Sequence, residues 1–97
     1  MSLRELTEDE LKCIEHYAGL LFSLYDIADI LEVERVDFIN AYKDNDQKIQ
    51  SLYKKGSLLA QAKLREKLLS LAFDGSNTAI TEVLKLLAEF DKNNAKI

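Results

Sequence analysis

The stretch from Ser23 to Phe38 constrains this chain more than any other. Ile27, Ala28 and Leu31 recur at the spacing of one helical face, and Ala28 is small enough to let a second helix cross closely. Val33 plugs the interruption that follows. Phe38 falls on the inward face of the helix that restarts near Arg35. A short helix, a tight turn and a second helix make a helix-turn-helix arrangement. Zero proline and three glycines in 97 residues leave few breaks elsewhere, so the fold class is all-α.

Cap and stripe signals divide the rest. Thr7-Glu8-Asp9-Glu10 reads as a capping box, flanked by Leu6 and Leu11 as a hydrophobic staple. The first helix runs to about Ala18, with Leu11, Ile14, Tyr17 and Ala18 on one face and Gly19 as its stop. Ser23 caps the second helix, and the third spans about 35–43. Asp44-Asn45-Asp46 breaks the pattern before a long helix over 47–73. On that helix Ile49, Leu52, Tyr53, Gly56, Leu59, Ala60, Leu64, Leu68 and Leu71 form one stripe. Leu58, Ala62, Leu69 and Phe73 form a second beside it. Asp74-Gly75-Ser76-Asn77 is a turn, and a last helix over about 78–90 places Ile80, Val83, Leu84, Leu87 and Phe90 inward, with a polar, frayed tail from Asp91. The organisation is therefore a three-helix helix-turn-helix domain over 1–46 and a long-helix hairpin over 47–97. The second stripe is available to pack on another copy of the chain.

Charge and composition narrow the function. Residues 1–46 carry four bases against twelve acids, and residues 47–97 carry nine bases against five acids. A DNA reader concentrates positive charge where it meets phosphate, so the acidic half is an unusual home for a reading helix. On the third helix Arg35, Val36, Ile39, Asn40 and Lys43 point outward. Asn40 suits adenine, Arg35 suits guanine or a phosphate, and Val36 and Ile39 suit thymine methyls or a protein surface. Lys54 and Lys55 are auxiliary phosphate contacts. A single histidine and no phosphate-cradling glycine loop argue against an enzyme. Neither a metal nor a cofactor is implied, because Cys13 and His16 alone cannot complete a metal site. One cysteine and no long apolar run lead to the expectation of a cytoplasmic protein with no membrane partner.

Taken in order, the Leu6-Thr7 start, the unit from Ser23 to Phe38, and the helix from Tyr53 to Ala72 with Lys55-Gly56 and Ala60-Gln61-Ala62-Lys63-Leu64 resemble a known family. Asp74-Gly75-Ser76-Asn77-Thr78-Ala79-Ile80 completes the set. The family is the phage terminase small subunit, or a related prophage-encoded DNA-binding protein. The resemblance implies a non-catalytic homo-oligomer that recognises viral double-stranded DNA and passes it to a terminase large subunit. Two departures stand out: Glu32 occupies a turn position where the family commonly has glycine, and Glu34 caps the third helix where Ser or Thr is common. The other class compatible with the residues is a protein-interaction module on a helix-turn-helix scaffold without direct DNA binding.

Overall fold

The computed structural model describes residues 3–44 and 47–95. Among them are five α-helices and no strand: α1 (Glu8–Ala18), α2 (Leu24–Ile30), α3 (Arg35–Lys43), α4 (Gln47–Phe73) and α5 (Asn77–Asn94). Asn45 and Asp46, the middle and end of the expected break before α4, lie outside the described residues.

Each boundary has a local cause. The Thr7 hydroxyl accepts from the Glu10 N–H at 3.1 Å, while the Glu10 carboxylate accepts from the Thr7 N–H at 3.0 Å, so the capping box forms. Leu6 and Leu11, the pair placed for a staple, both pack against the core. Ser23 and Ser76 cap α2 and α5 through the N–H groups of Asp26 and Ala79, each at 3.2 Å. Glu34 begins α3 with no side-chain cap.

The end of α1 departs from expectation. Gly19 keeps ordinary helical angles, and the left-handed residue that turns the chain is Leu21, at φ 65. The Phe22 N–H then reaches back to the Tyr17 carbonyl at 3.1 Å. Gly19 serves packing instead, because a Cβ there would lie 3.7 Å from the Gly56 carbonyl oxygen. After α2 the same device recurs. Glu32 is left-handed at φ 57, and the Val33 N–H bonds the Ala28 carbonyl at 3.0 Å.

The contacts divide the chain into two compact units, residues 1–61 and 62–97, with the division inside α4 rather than at its start. The reason is that the first turns of α4 complete the N-terminal core. Ile14, Ala18, Ile27, Ala28, Leu31, Phe38 and Ile49 are buried together, with Leu24, Val33, Tyr42, Leu52 and Tyr53 packed around them. Burying a side chain the size of Phe38 or Ile27 contributes about 1.5–3 kcal/mol each. Gly56 sets how closely α4 approaches α1: a Cβ there would sit 2.3 Å from the Glu15 carbonyl oxygen and 3.0 Å from the Ala18 Cβ. Tyr53 stands edge-on to Tyr42, with 5.8 Å between ring centroids, and burial pushes its hydroxyl pKa up.

In the C-terminal unit the inward face of α5 agrees with the expected one at Val83 alone. Ala79 is buried and Val83 and Leu86 are half-buried, whereas Ile80, Leu84, Leu87 and Phe90 are exposed. The contact stripe is shifted by one residue because small Ala79 lets the helices approach, leaving its larger neighbours on the flank. Helix α5 also continues to Asn94, past the expected end at Phe90. Of the main stripe of α4, Ile49 and Gly56 are buried and Leu52, Tyr53, Ala60 and Leu68 are half-buried. Leu59, Leu64 and Leu71 are exposed, as are Leu58, Ala62, Leu69 and Phe73 of the second stripe.

Candidate nucleic-acid interface

Helix α3 owes its position to α2. Ile27, Ala28 and Leu31 from one side and Phe38 from the other close the crossing, and the left-handed turn at Glu32 sets its angle. With Phe38 fixed inward, helical geometry sends Val36, Asn40 and Lys43 outward, and all three are exposed. Val36 is 67% exposed, the most open large apolar residue among those described in the N-terminal unit. Ile39, expected outward with them, is half-buried, so less of it is available to a partner.

Arg35 is outward and already engaged. Its Nε donates to Asp29 Oδ1 at 2.9 Å and its Nη2 donates to Asp29 Oδ2 at 2.5 Å, a two-pronged pairing of guanidinium and carboxylate. The guanidinium also lies 5.8 Å from the centre of the Tyr25 ring. Its hydrogen bonds to Asp29 raise the Arg35 pKa and lower that of Asp29. A guanine or phosphate contact by Arg35 therefore competes with Asp29 for the guanidinium charge, with Nη1 left to donate beside the pair. The two lie six positions apart on different helices with a turn between them, so helical periodicity in the sequence gives no sign of the pair.

The charge around α3 is uneven along its length. Asp26, Asp29, Glu34 and Asp37 surround its start, while Lys43 stands at its end with no acid paired to it among the described residues. Reading helices of this kind meet bases with their first turns, which makes the acidic end the wrong one for phosphate attraction. The auxiliary lysines separate. Lys54 is exposed, whereas Lys55 pairs with Glu15 of α1 at 3.5 Å and so turns toward α1.

A second constellation escaped the sequence reading. Arg4 grips Glu10 with both arms, Nη1 to Oε1 at 2.9 Å and Nη2 to Oε2 at 2.6 Å, and Nη2 also donates to the Leu31 carbonyl at 3.2 Å. It thereby ties the start of α1 to the end of α2. Arg4 and the Thr7 N–H together hold the Glu10 carboxyl down to about 2. The clamp is structural, since both arms of the guanidinium are already occupied.

No group of three or more His, Cys, Asp or Glu side chains capable of holding a metal occurs among the described residues, and none of their helices is long and apolar enough to cross a membrane. Compared with protein-family models, with curated proteins and with solved structures, the chain matches none of them.

Proposed function

We propose that this chain is a non-catalytic DNA-binding subunit that works as an oligomer, with α2, the Glu32 turn and α3 as a helix-turn-helix unit and α3 as its reading helix. In this reading α4 and α5 form the assembly hairpin, and the protein resembles a phage terminase small subunit, marking viral DNA for packaging. The observation that carries the reading is the buried α2–α3 crossing, which holds Val36, Asn40 and Lys43 of α3 out in solvent. Asn40 is the base reader and Lys43 the phosphate contact. Asp29 neutralises Arg35 and the start of α3 is acidic, so binding per chain is weak and several copies are needed.

A specific observation favours a second reading, a protein-interaction module. Val36 is exposed while its neighbour Arg35 is held by an acid, which gives α3 an apolar centre rather than a basic one. Fluorescence titration of the purified protein against viral DNA at low and moderate salt separates the two. Asn40→Ala is expected to relax sequence preference, Lys43→Ala to weaken all sequences alike and flatten the salt slope. Asp29→Asn, which releases Arg35, is expected to tighten binding. No binding at low salt, or binding indifferent to all three changes, removes α3 as a reading head and leaves the protein-interaction reading.

A further inference from the structure

We infer that the C-terminal unit pairs with the same unit of a second copy, burying the face formed by Leu69, Phe73, Ile80, Leu84 and Leu87 in a two-fold four-helix assembly. The inference rests on the assembly half of the function proposed above and adds the face, the symmetry and the stoichiometry.

The face follows from helical register. On α5 the covered residues are Ala79, Val83 and Leu86, and the residue after each is an exposed large apolar one: Ile80 at 39%, Leu84 at 61% and Leu87 at 51%. On α4 the half-buried residues are Leu68 and Ala72, and the residue after each is Leu69 at 40% and Phe73 at 86% exposure. One step along an α-helix is a turn of about 100°. Arg65 shares a small cavity with Leu86, Glu89 and Phe90, so α5 returns along α4. In two antiparallel right-handed helices, equal turns in the same sense from the contact line lead to the same side. The five residues therefore share one side. The preceding positions, Lys67, Leu71, Thr78, Glu82 and Lys85, share the other and make it mixed and charged.

Area and charge select the occupant. At the exposures above, the five side chains present roughly 500 Å² of apolar surface, taking about 180 Å² for each fully exposed side chain. A standard interface buries about 800 Å² per partner, about 60% of it apolar, which is the same figure. The face is its own complement if two copies meet about a two-fold axis, and such an interface closes on itself. Residues of α4 in this unit are mainly basic, with Lys63, Arg65 and Lys67 against Glu66. Those of α5 are mainly acidic, with Glu82, Glu89 and Asp91 against Lys85 and Lys92. An axis parallel to the helices sets each α4 against the partner's α5, unlike charge to unlike. A perpendicular axis would set α4 on α4. The parallel axis also brings Arg65, level with Glu89 in its own chain, to the height of the acidic end of the partner's α5, where Asp91 stands.

Sedimentation equilibrium of the full chain at tens of micromolar tests this. The expected mass is that of a dimer, and Leu84→Glu is expected to reduce it to a monomer while circular dichroism stays helical. A charge-swap mixture decides the arrangement whatever the fate of Leu84→Glu. Arg65→Glu and Asp91→Arg each oppose like charges in their own homodimers, whereas mixed together they restore both pairs. The heterodimer is expected to be favoured by roughly tenfold. A monomeric parent chain, a larger closed assembly, a folded Leu84→Glu dimer, or no heterodimer preference overturns the inference. A dimer that binds no DNA leaves it standing and removes α3 as a reader; a monomer that binds DNA does the reverse.

Discussion

The two units carry similar amphipathic helices and reach opposite outcomes. In the N-terminal unit seven apolar side chains are buried in one cluster, five of them large. In the C-terminal unit Ala79 is the sole buried apolar residue among those described, although Leu64, Leu69, Leu71, Phe73, Ile80, Leu84, Leu87 and Phe90 are present. Four helical segments enclose a centre, whereas two share only a seam, and each leaves both flanks open. A regular apolar stripe states that a helix wants cover. It does not state where the cover comes from.

The largest expected effect tests whether the N-terminal core is closed as tightly as its contacts imply. Gly56→Ala places a methyl group against the Glu15 backbone oxygen, a group that cannot rotate away. Alanine is the better helix former by about 1 kcal/mol, so propensity alone predicts a gain. Overpacking of this kind costs ~1–3 kcal/mol and sometimes more, and with backbone as the obstacle the upper end is expected, a net loss of about 2 kcal/mol. Urea unfolding measures the total, and hydrogen exchange is expected to place the loss in α1–α3 with amides of α5 unchanged. A neutral or stabilising Gly56→Ala means that α1 and α4 are not held this close in solution.

Much of this contrast was legible in the sequence, and what was not has a physical reason. Caps are local: Thr7, Glu10 and Ser23 act within three residues, so α1 and α2 start where the chain indicates, and α3 starts at Arg35 as read without a side-chain cap. The inward residues Ile14, Ile27 and Phe38 follow from period alone. On α5 period recovers Val83 but not Ala79 and Leu86, because Ile80, Leu84 and Leu87 beside them form the heavier apolar stripe. Gly56 shows in the α4 stripe, but its role needs the position of Glu15 across the crossing. The site residues divide in the same way. Exposure of Val36, Asn40 and Lys43 follows from helical period, while the Asp29 partner of Arg35 depends on the turn between them.

Acid tests a part of the N-terminal unit that burial does not hold. Glu10 titrates near 4.5 when unperturbed and at about 2 in the folded chain, chiefly through its bonds to Arg4. A folded pKa below the unfolded one contributes stability that is present above pH 4.5 and is lost as pH falls toward 2. Thermal unfolding followed at pH 7, 4 and 2.5 is expected to show a falling midpoint. Arg4→Met removes the main cause of the shift and is expected to flatten that fall, with a lower midpoint at pH 7. Equal pH profiles for the two proteins mean that the clamp between α1 and the end of α2 is not formed.

The smallest effect concerns how each unit turns its chain. The N-terminal unit places Glu32 in the left-handed region at φ 57, and the C-terminal unit places Gly75 there, at φ 94. A side chain in that region costs roughly 1–2 kcal/mol, and glycine escapes the cost but loses more backbone entropy on folding, by about 0.5–1 kcal/mol. Glu32→Gly is therefore expected to stabilise by about 0.5–1 kcal/mol in urea unfolding, less the weak attraction that Glu32 exerts on Arg4. Gly75→Ala is expected to destabilise by a similar amount through the backbone alone, since no atom lies within 4 Å of the added Cβ. Opposite signs at the two turns mean that the N-terminal core imposes a strained turn which the C-terminal unit avoids by sequence. If Glu32→Gly destabilises instead, the glutamate side chain is making a contact that outweighs its strain. The turn before α3 is then held by that side chain rather than by the Ala28–Val33 backbone bond.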